Sequence, residues 1–320
     1  ILDLSGTGWS AEKCQAMSTS NKFLGQINDL KNFREGTVEY RAAPGRAETI
    51  TGHCDEALST LKLPQGQASK LRGLIQFYGT TTQGNVSKGG AVPLAQRASG
   101  ADPGTHVHTQ LANSLEYTKT MIAVSKPRHI VLRRQRPQLR AWSDAEYDPE
   151  QPELGGDAGS AIKRCDTGEV HATAMRASSY FISQFLPRKQ QIGQLEAIAV
   201  LFACLVLAPF LQGTDILWGI DNTSAEASLV RGYSPKQDTA DIVAATALLL
   251  NALDTRPWFF HVDSDSNPSD GLSRDGIKDA WTQAMAKQHS WQPPRCEVPD
   301  ISHISTLPVL PGPDTQPTRP

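Results

Sequence analysis

The chain has 320 residues, of which 39% are apolar and 20% charged, with 31 basic and 33 acidic side chains. This composition excludes a collagen, a coiled coil and a wholly disordered chain, and the length suggests about two domains. The charge is uneven, because residues 1–140 carry 18 basic and 10 acidic side chains while residues 141–320 carry 13 and 23. A basic first half suits a polyanion such as nucleic acid, and an acidic second half suits a divalent cation or is simply solvated.

Three features bear on the cellular setting. The longest apolar stretch, residues 197–211, contains Pro209 and is shorter than the roughly 20 residues of a membrane span, so we expect no membrane partner. Five scattered cysteines without a CxxC pair favour a reducing compartment. The chain begins with Ile1 and shows no secretory signal. We therefore expect a fragment of an intracellular protein, cytoplasmic or nuclear and not secreted.

The first half predicts strands followed by helices. Residues 21–43 show apolar clusters and alternation typical of strands, and the turn signal Pro44-Gly45 follows them. The spacing of apolar residues predicts helices over 47–61, 69–78 and 110–123, with a loop over 79–90. Residues 126–140 hold six Lys or Arg and no acid, which predicts a basic linker and a domain boundary near Pro137.

The second half predicts an α/β domain, because strands alternate with helices along it. After the strand at 139–144 we expect an acidic turn, an Ala/Ile strand, a strand near 172–181 and a long apolar helix from about Gly193 to about Leu211. The remaining predicted elements are a strand at 216–221, helices at 224–231 and 239–253, a strand at 258–262 and a helical stretch at 267–281. The tail is rich in proline and is predicted to be disordered.

Four acidic residues fall at these predicted strand ends and helix starts. Asp144 closes one strand, Glu196 lies in the first turn of the apolar helix, Asp221 ends the short strand and Asp270 opens the last helical stretch. A carboxylate at the carboxyl end of a buried strand lies at the edge of the sheet where ligands bind. Several carboxylates there repel one another unless cations neutralise them, and oxygen ligands favour Mg²⁺ or Mn²⁺ over zinc. Two such ions can activate a water and stabilise the leaving oxygen of a phosphodiester.

Each acid also has an ordinary interpretation. Asp144 is compatible with a turn, Glu196 with a helix start favoured by the dipole, and Asp221-Asn222 and Asp270 with helix N-caps. The four together, in this order of elements, favour the metal site.

The four motifs resemble, in content and order, the ribonuclease H-like domain of retrotransposon reverse transcriptases, and most closely the DIRS-like group. They are Trp142-Ser143-Asp144-Ala145, Gln194-Leu195-Glu196-Ala197, Ile220-Asp221-Asn222-Thr223-Ser224-Ala225 and His261-Val262 followed by Asn267-Pro268-Ser269-Asp270-Gly271-Leu272-Ser273-Arg274. Upstream, residues 10–14 followed by 21–25 resemble the strand pair that closes a reverse-transcriptase palm. Gly45-Arg46 with the following helix, residues 68–73 and the loop at 80–90 resemble the thumb and connection region. The Tyr-x-Asp-Asp-type polymerase motif is absent, so DNA synthesis is not predicted.

The resemblance implies a ribonuclease H-like mixed sheet with flanking helices over 137–285. It also implies a smaller α+β region over 1–136, the end of the palm with the thumb and connection, and leaves a Pro-rich tail over 286–320. It implies that Asp144, Glu196, Asp221 and Asp270 ligate two Mg²⁺ ions, Mn²⁺ being possible, and hydrolyse the RNA strand of an RNA–DNA hybrid. The remainder of the reverse-transcriptase polyprotein is the other implied partner. The implied contacts to nucleic acid are Asn222, Lys70, Arg72, Arg133, Arg134 and Arg136.

Two points stay open in the sequence. Asp263 and Asp265 compete with Asp270 as the fourth ligand, and the context of Asp270 favours that residue. His261 lies earlier than the mobile histidine that the family often carries, so we expect an ordinary strand residue. The rival functions are a catalytically inactive, nucleic-acid-binding remnant of a retroelement and a structural domain whose acids are incidental.

Overall fold

The structure, a computed structural model, describes residues 18–23, 25–82, 84–132, 136–186, 188, 191–289 and 295–297. These residues form two sheets, each with its own helices. Residues 10–17, Arg133 and Arg134 lie outside the described residues, and so does most of the predicted tail. Among the helices that the structure describes, none combines the length and the apolarity needed to span a bilayer.

The first unit is an antiparallel four-stranded sheet followed by helices, and its strands pair in the order β1-β2-β3-β4. Its core is made by helix side chains such as Ile50, Leu71, Leu111 and Leu115, all essentially fully buried. An α+β first region therefore agrees with the prediction. Its strands are β1 (Ser20–Phe23), β2 (Gln26–Asp29), β3 (Thr37–Ala42) and β4 (Arg128–Val131), and its helices are α1 (Arg46–Thr60), α2 (Gln65–Gly79), α3 (Ala91–Ser99) and α4 (Thr109–Val124).

The predicted basic linker is partly a strand. In β4, Ile130 pairs with Val38 and Arg128 with Tyr40 of β3, so this segment completes the first sheet before the chain enters the second unit. Its basic side chains are compatible with a strand because β4 is the last strand of its sheet, and an edge strand tolerates charge.

The second unit is a mixed sheet with helices on both faces. Its strands are β5 (Gln138–Tyr147), β6 (Gly156–Arg164), β7 (Val170–Ala177), β8 (Asp215–Ile220), β9 (Arg256–His261) and β10 (Arg295–Glu297). Its helices are α5 (Ser179–Ser183), α6 (Ile192–Val206), α7 (Ala208–Leu211), α8 (Thr223–Arg231), α9 (Gln237–Ala252), α10 (Asp270–Asp275) and α11 (Ala280–His289).

The strand order of this sheet is β10-β7-β6-β5-β8-β9. The central strand β5 pairs antiparallel with β6 on one side and parallel with β8 on the other, and β9 continues the parallel part. Three antiparallel strands followed by two parallel ones, joined through helices, are the ribonuclease H-like sheet, so the predicted fold class is confirmed.

Two expectations about this unit are wrong. The long apolar helix does not run unbroken to Leu211, because α6 ends at Val206 and α7 begins at Ala208, with Pro209 in the first turn of α7, where a missing N–H is tolerated. The expected disorder of 286–320 also fails for 286–289, which end α11, and for β10, which pairs in parallel with β7.

The core of the second unit surrounds α6. Residues Gln194 through Cys204 of this helix are all buried, and they pack against β5 and β6 on one side and α9 on the other. A helix that is apolar all round belongs in the interior of a domain. Its burial fixes where the one acidic side chain of α6, Glu196, must lie.

Candidate active site

The first predicted ligand, Asp144, lies within β5 and not at its end. The strand continues to Tyr147 because the antiparallel ladder with β6 extends to the pair Tyr147–Gly156. Asp144 is only 5% exposed and faces α10. The approach of α10 depends on Gly159, the partner of Asp144 on β6, because a Cβ there would lie 2.4 Å from Leu272 Cβ. No real Cβ contact is that short, so only glycine fits at this position.

Glu196 lies in the second turn of α6, since the helix begins at Ile192; the prediction of a first-turn position is wrong. The side chain is 3% exposed. Its Oε1 accepts a hydrogen bond from the backbone N–H of Ala145 at 3.3 Å, which ties it to the strand of Asp144. Its Oε2 is buried and finds no hydrogen-bond partner among the described residues.

Asp221 directly follows β8, the strand next to the central one, because β8 ends at Ile220, one residue earlier than predicted. One oxygen from each of Asp144, Glu196 and Asp221 lies within 4.8 Å of the other two. The Ser264 hydroxyl donates to Asp221 Oδ2 at 2.8 Å. The structure therefore brings three of the four predicted acids into one cluster, which we call the acidic triad.

Burial and mutual repulsion shift the protonation of the triad. Burial, followed by the charges of Asp144 and Asp221, raises the pKa of Glu196 to about 10. Burial also raises the pKa of Asp144 to about 7, assisted by the charges of Asp221 and Asp270 and opposed by a hydrogen bond from Ser273. An ionised carboxylate away from water needs a compensating charge, so the triad is poorly satisfied by protein groups alone.

The triad fits a divalent cation by the chemistry of its donors. Its three carboxylates offer only oxygen ligands, which Mg²⁺ and similar hard cations prefer. The buried, unpartnered Oε2 of Glu196 supplies an acceptor that a cation would satisfy. Together these features define a place where a metal ion can bind.

The acidic triad borders an open cavity. Asp270 borders the same cavity but is not a member of the triad. It is the first residue of α10, and its Oδ1 forms an ion pair with Arg274 at 2.8 Å, one turn along the helix. Asp263 and Asp265 are exposed and do not border the cavity, and His261 is the last residue of β9, as expected of a strand residue. Asp270 remains the predicted fourth ligand.

The residues predicted to contact nucleic acid differ in exposure and in whether they are already bound to other protein groups. Asn222 borders the cavity, but its Oδ1 accepts from the N–H groups of Ser224 and Ala225 and so caps α8. Lys70 is exposed and Arg72 half-buried on α2. Arg136 is not available for phosphate, because its guanidinium pairs with Asp215 at 3.2 Å and Asp254 at 2.9 Å.

Sequence reasoning gave no role to two hydroxyls that orient the acids. Ser264 donates to Asp221, and the Ser273 hydroxyl contacts both the carboxylate of Asp144 and the carbonyl oxygen of Asp270, the latter at 2.8 Å. The signal for Ser273 is its position three residues after Asp270, which places both on one face of a helix. Ser264 carries no such signal, because its approach depends on how the turn after β9 folds.

No family model and no curated protein matches the chain. Among solved structures, ribonuclease H1 of the archaeon Halobacterium salinarum is 18% identical over 45% of this chain and 99% of its own, with a TM-score of 0.34. The N-terminal ribonuclease H domain of a Mycobacterium tuberculosis protein is 12% identical over 48% of this chain and 98% of its own, also with a TM-score of 0.34. A foamy viral protease-reverse transcriptase in complex with an RNA/DNA hybrid is 10% identical, with a TM-score of 0.26.

The foamy viral match covers 88% of this chain but only 54% of that protein. All three similarities are low, so the class of this domain rests on its own strand order and acidic triad. These define a ribonuclease H-like domain.

Proposed function

We propose that this chain hydrolyses the RNA strand of RNA–DNA hybrids with the help of divalent cations. The observation that carries the proposal is the acidic triad at the centre of a ribonuclease H-like sheet, with Glu196 Oε2 buried and unpartnered. Isolated acids at turns or caps would be solvated, as Asp263 and Asp265 are. Three converging carboxylates, two of them buried, favour a cation site over incidental charge.

In this proposal Asp144, Glu196 and Asp221 hold two Mg²⁺ ions, with Mn²⁺ as a possible substitute, and Asp270 completes the ligand set. When bound, such ions lower the pKa of water and stabilise charge on a phosphodiester. The protein's own part is to fix the carboxylates. Ala145 N–H holds Glu196, while Ser264 and Ser273 hold Asp221 and Asp144.

The choice of an RNA–DNA hybrid follows the resemblance of the four motifs to reverse-transcriptase ribonuclease H-like domains. An enzyme of this kind acts on A-form-like shape and on the 2′-hydroxyl more than on base sequence. Lys70 and Arg72, with Arg133 and Arg134, are the proposed phosphate contacts, which position a duplex without specifying its sequence. We further propose an intracellular, DIRS-like polyprotein as the source, with the first unit as its thumb and connection region.

The test is incubation of the purified chain with an end-labelled RNA–DNA hybrid in Mg²⁺ or in EDTA. We expect cleavage of the RNA strand alone, abolished by EDTA and by Asp144→Asn, with hybrid binding retained in the variant. RNA–RNA and DNA–DNA duplexes serve as substrate controls, and Glu153→Gln, at an exposed acid in the turn before β6, as the variant control. Binding without cleavage in Mg²⁺ or Mn²⁺ would instead identify an inactive nucleic-acid-binding remnant, and neither binding nor cleavage would refute both functions.

A further inference from the structure

One face of the second sheet is left partly open. The face that carries Asp144 is covered by α10 over β5, β6 and β7, where Leu272 packs on Ala161 and Ala172. Over β8 and β9 this face meets no helix among the described residues, while α8 and α9 pack on the opposite face. The uncovered area is therefore continuous with the acidic triad.

A row of side chains on this face runs from β6 and β5 into the open area over β8 and β9. The strand register aligns Lys163, Arg140, Leu217 and Trp258 across β6, β5, β8 and β9, and paired residues on adjacent strands point to the same face. Lys163 and Arg140 are exposed, Leu217 is 47% exposed and Trp258 is 70% exposed. Trp258 projects into solvent next to Leu217, and neighbouring exposed apolar side chains of this size are typical of a binding surface.

The next row, toward the triad, has a glycine at its centre. It aligns Trp142, Gly219 and Phe260. A Cβ on Gly219 would lie 3.0 Å from Trp142 Cδ1 and 3.3 Å from Phe260 Cζ, so the missing side chain lets the two half-buried rings close over this position. The two rows together form what we call the aromatic platform.

The charge of the platform suits an anion. Arg140 and Lys163 are exposed, and neither takes part in an ion pair among the described residues. The one acid in the row beyond, Asp215, is neutralised by Arg256 at 2.8 Å and by Arg136 at 3.2 Å. Two available cations in the same row as an exposed indole match the phosphates and a base of a short nucleic-acid strand.

We infer that the aromatic platform binds a single-stranded stretch of nucleic acid next to the acidic triad. The identity of the ligand class rests on the proposed nuclease function, but the site is separate from the triad. Bases in a duplex are stacked on one another, so only unpaired nucleotides can offer a face to Trp258. Arg140 and Lys163 would then hold the phosphates of the same stretch.

The positions of Trp142 and Arg140 along β5 determine how far the aromatic platform extends from the acidic triad. Trp142 and Arg140 precede Asp144 by two and four residues on the same face, which at about 3.4 Å per residue places them roughly 7 and 14 Å from it. That span corresponds to a few nucleotides. A hybrid that ends near the triad and carries a single-stranded extension would therefore lay that extension across the platform.

The test is binding of a fluorescent 12-nucleotide oligothymidylate and oligouridylate to the full chain in EDTA, where no hydrolysis occurs. Trp258→Ala is expected to weaken binding about tenfold, the usual effect of losing one stacking aromatic. Arg140→Ala with Lys163→Ala is expected to weaken it and to flatten its dependence on salt. Tyr180→Ala, at an equally exposed aromatic on α5, and Lys62→Ala are the matched controls and should leave binding unchanged.

A second measurement separates this inference from the proposed function. Blunt and overhanging RNA–DNA hybrids are compared as substrates, and Trp258→Ala should lower cleavage of the overhanging hybrid at limiting concentration while leaving the blunt hybrid unaffected. Unchanged oligonucleotide binding in Trp258→Ala would overturn the platform even if cleavage is normal. Oligonucleotide binding that Trp258→Ala weakens, in a wild-type chain that cleaves no hybrid in Mg²⁺ or Mn²⁺, would support the platform and refute only the nuclease. If the chain binds no single strand but self-associates in a manner that Trp258→Ala abolishes, the face is a protein interface and the inference is wrong.

Discussion

Glu196→Gln should stabilise the metal-free protein, although it removes a proposed ligand. At pH 7 the folded protein keeps a proton on Glu196, whose pKa is about 10, while the unfolded chain releases it near the usual value of 4.5. Each pKa unit corresponds to about 1.36 kcal/mol, so 2.5 units amount to about 3 kcal/mol of lost stability at pH 7. Glutamine carries no charge and does not incur this loss, and its side-chain oxygen can still accept from Ala145 N–H.

The sign of the pH dependence follows from the raised pKa. Because the unfolded chain loses the proton first, the wild-type protein loses stability as pH rises from about 4.5 toward 10. The advantage of Glu196→Gln should therefore be under about 1 kcal/mol at pH 5 and about 3 kcal/mol at pH 7. Asp144 adds to the same trend over a narrower range, since its pKa is raised only to about 7.

The assay is urea unfolding in EDTA at pH 5, 6 and 7, with exposed Glu153→Gln as the control, which should match the wild type at every pH. Added Mg²⁺ should reverse the order, because a ligand that binds the folded state stabilises only the protein that retains its site. A Glu196→Gln protein that is less stable than wild type in EDTA at pH 7, or whose advantage does not change with pH, would refute the account of the triad.

Three further outcomes follow from the structure. Arg136→Gln should lower the free energy of unfolding by roughly 1.5–3 kcal/mol, because it breaks charged hydrogen bonds to Asp254, and should leave hybrid affinity unchanged; a loss of affinity without a loss of stability would restore it as a phosphate contact. Asn222→Ala should cost about 1 kcal/mol through loss of the α8 cap, measured by urea unfolding, whereas Asn222→Asp should retain the cap. Lys70→Ala with Arg72→Ala should make the slope of log hybrid affinity against log salt concentration less steep, by an amount that corresponds to up to about two lost phosphate contacts. An unchanged slope would show that α2 does not contact the hybrid.

The sequence predicted most of the elements, because apolar periodicity reflects burial directly. The buried face of α2 and the short apolar run of β8 follow from their residues alone. It failed at β4, whose charged residues resemble a linker until the pairing of Ile130 with Val38 is known. A strand at the edge of a sheet is specified by its partner more than by its own composition.

Three of the four predicted acids do lie together, but their geometry was not predictable. That Asp144 lies three residues before the end of β5 depends on a ladder with β6, and that Glu196 faces it depends on the burial of α6. Arg136 is not free to bind phosphate because it pairs with Asp215 and Asp254, which lie far away in sequence. Basic composition near a boundary therefore overestimates the number of side chains that are free to bind phosphate.

This chain contains both exposed acids and clustered buried acids, and the contrast between them distinguishes a cation site from incidental charge. Asp263 and Asp265 are exposed in the turn after β9, where water solvates their charges. Glu196 and Asp144 are instead held away from water, close to each other and to Asp221, and apolar neighbours cannot offset the cost of burying their charges. Replacement of such residues by amides would raise stability, as argued for Glu196→Gln. Acids that weaken the empty fold, yet are oriented by Ala145, Ser264 and Ser273, are best explained by a cation that the folded protein binds.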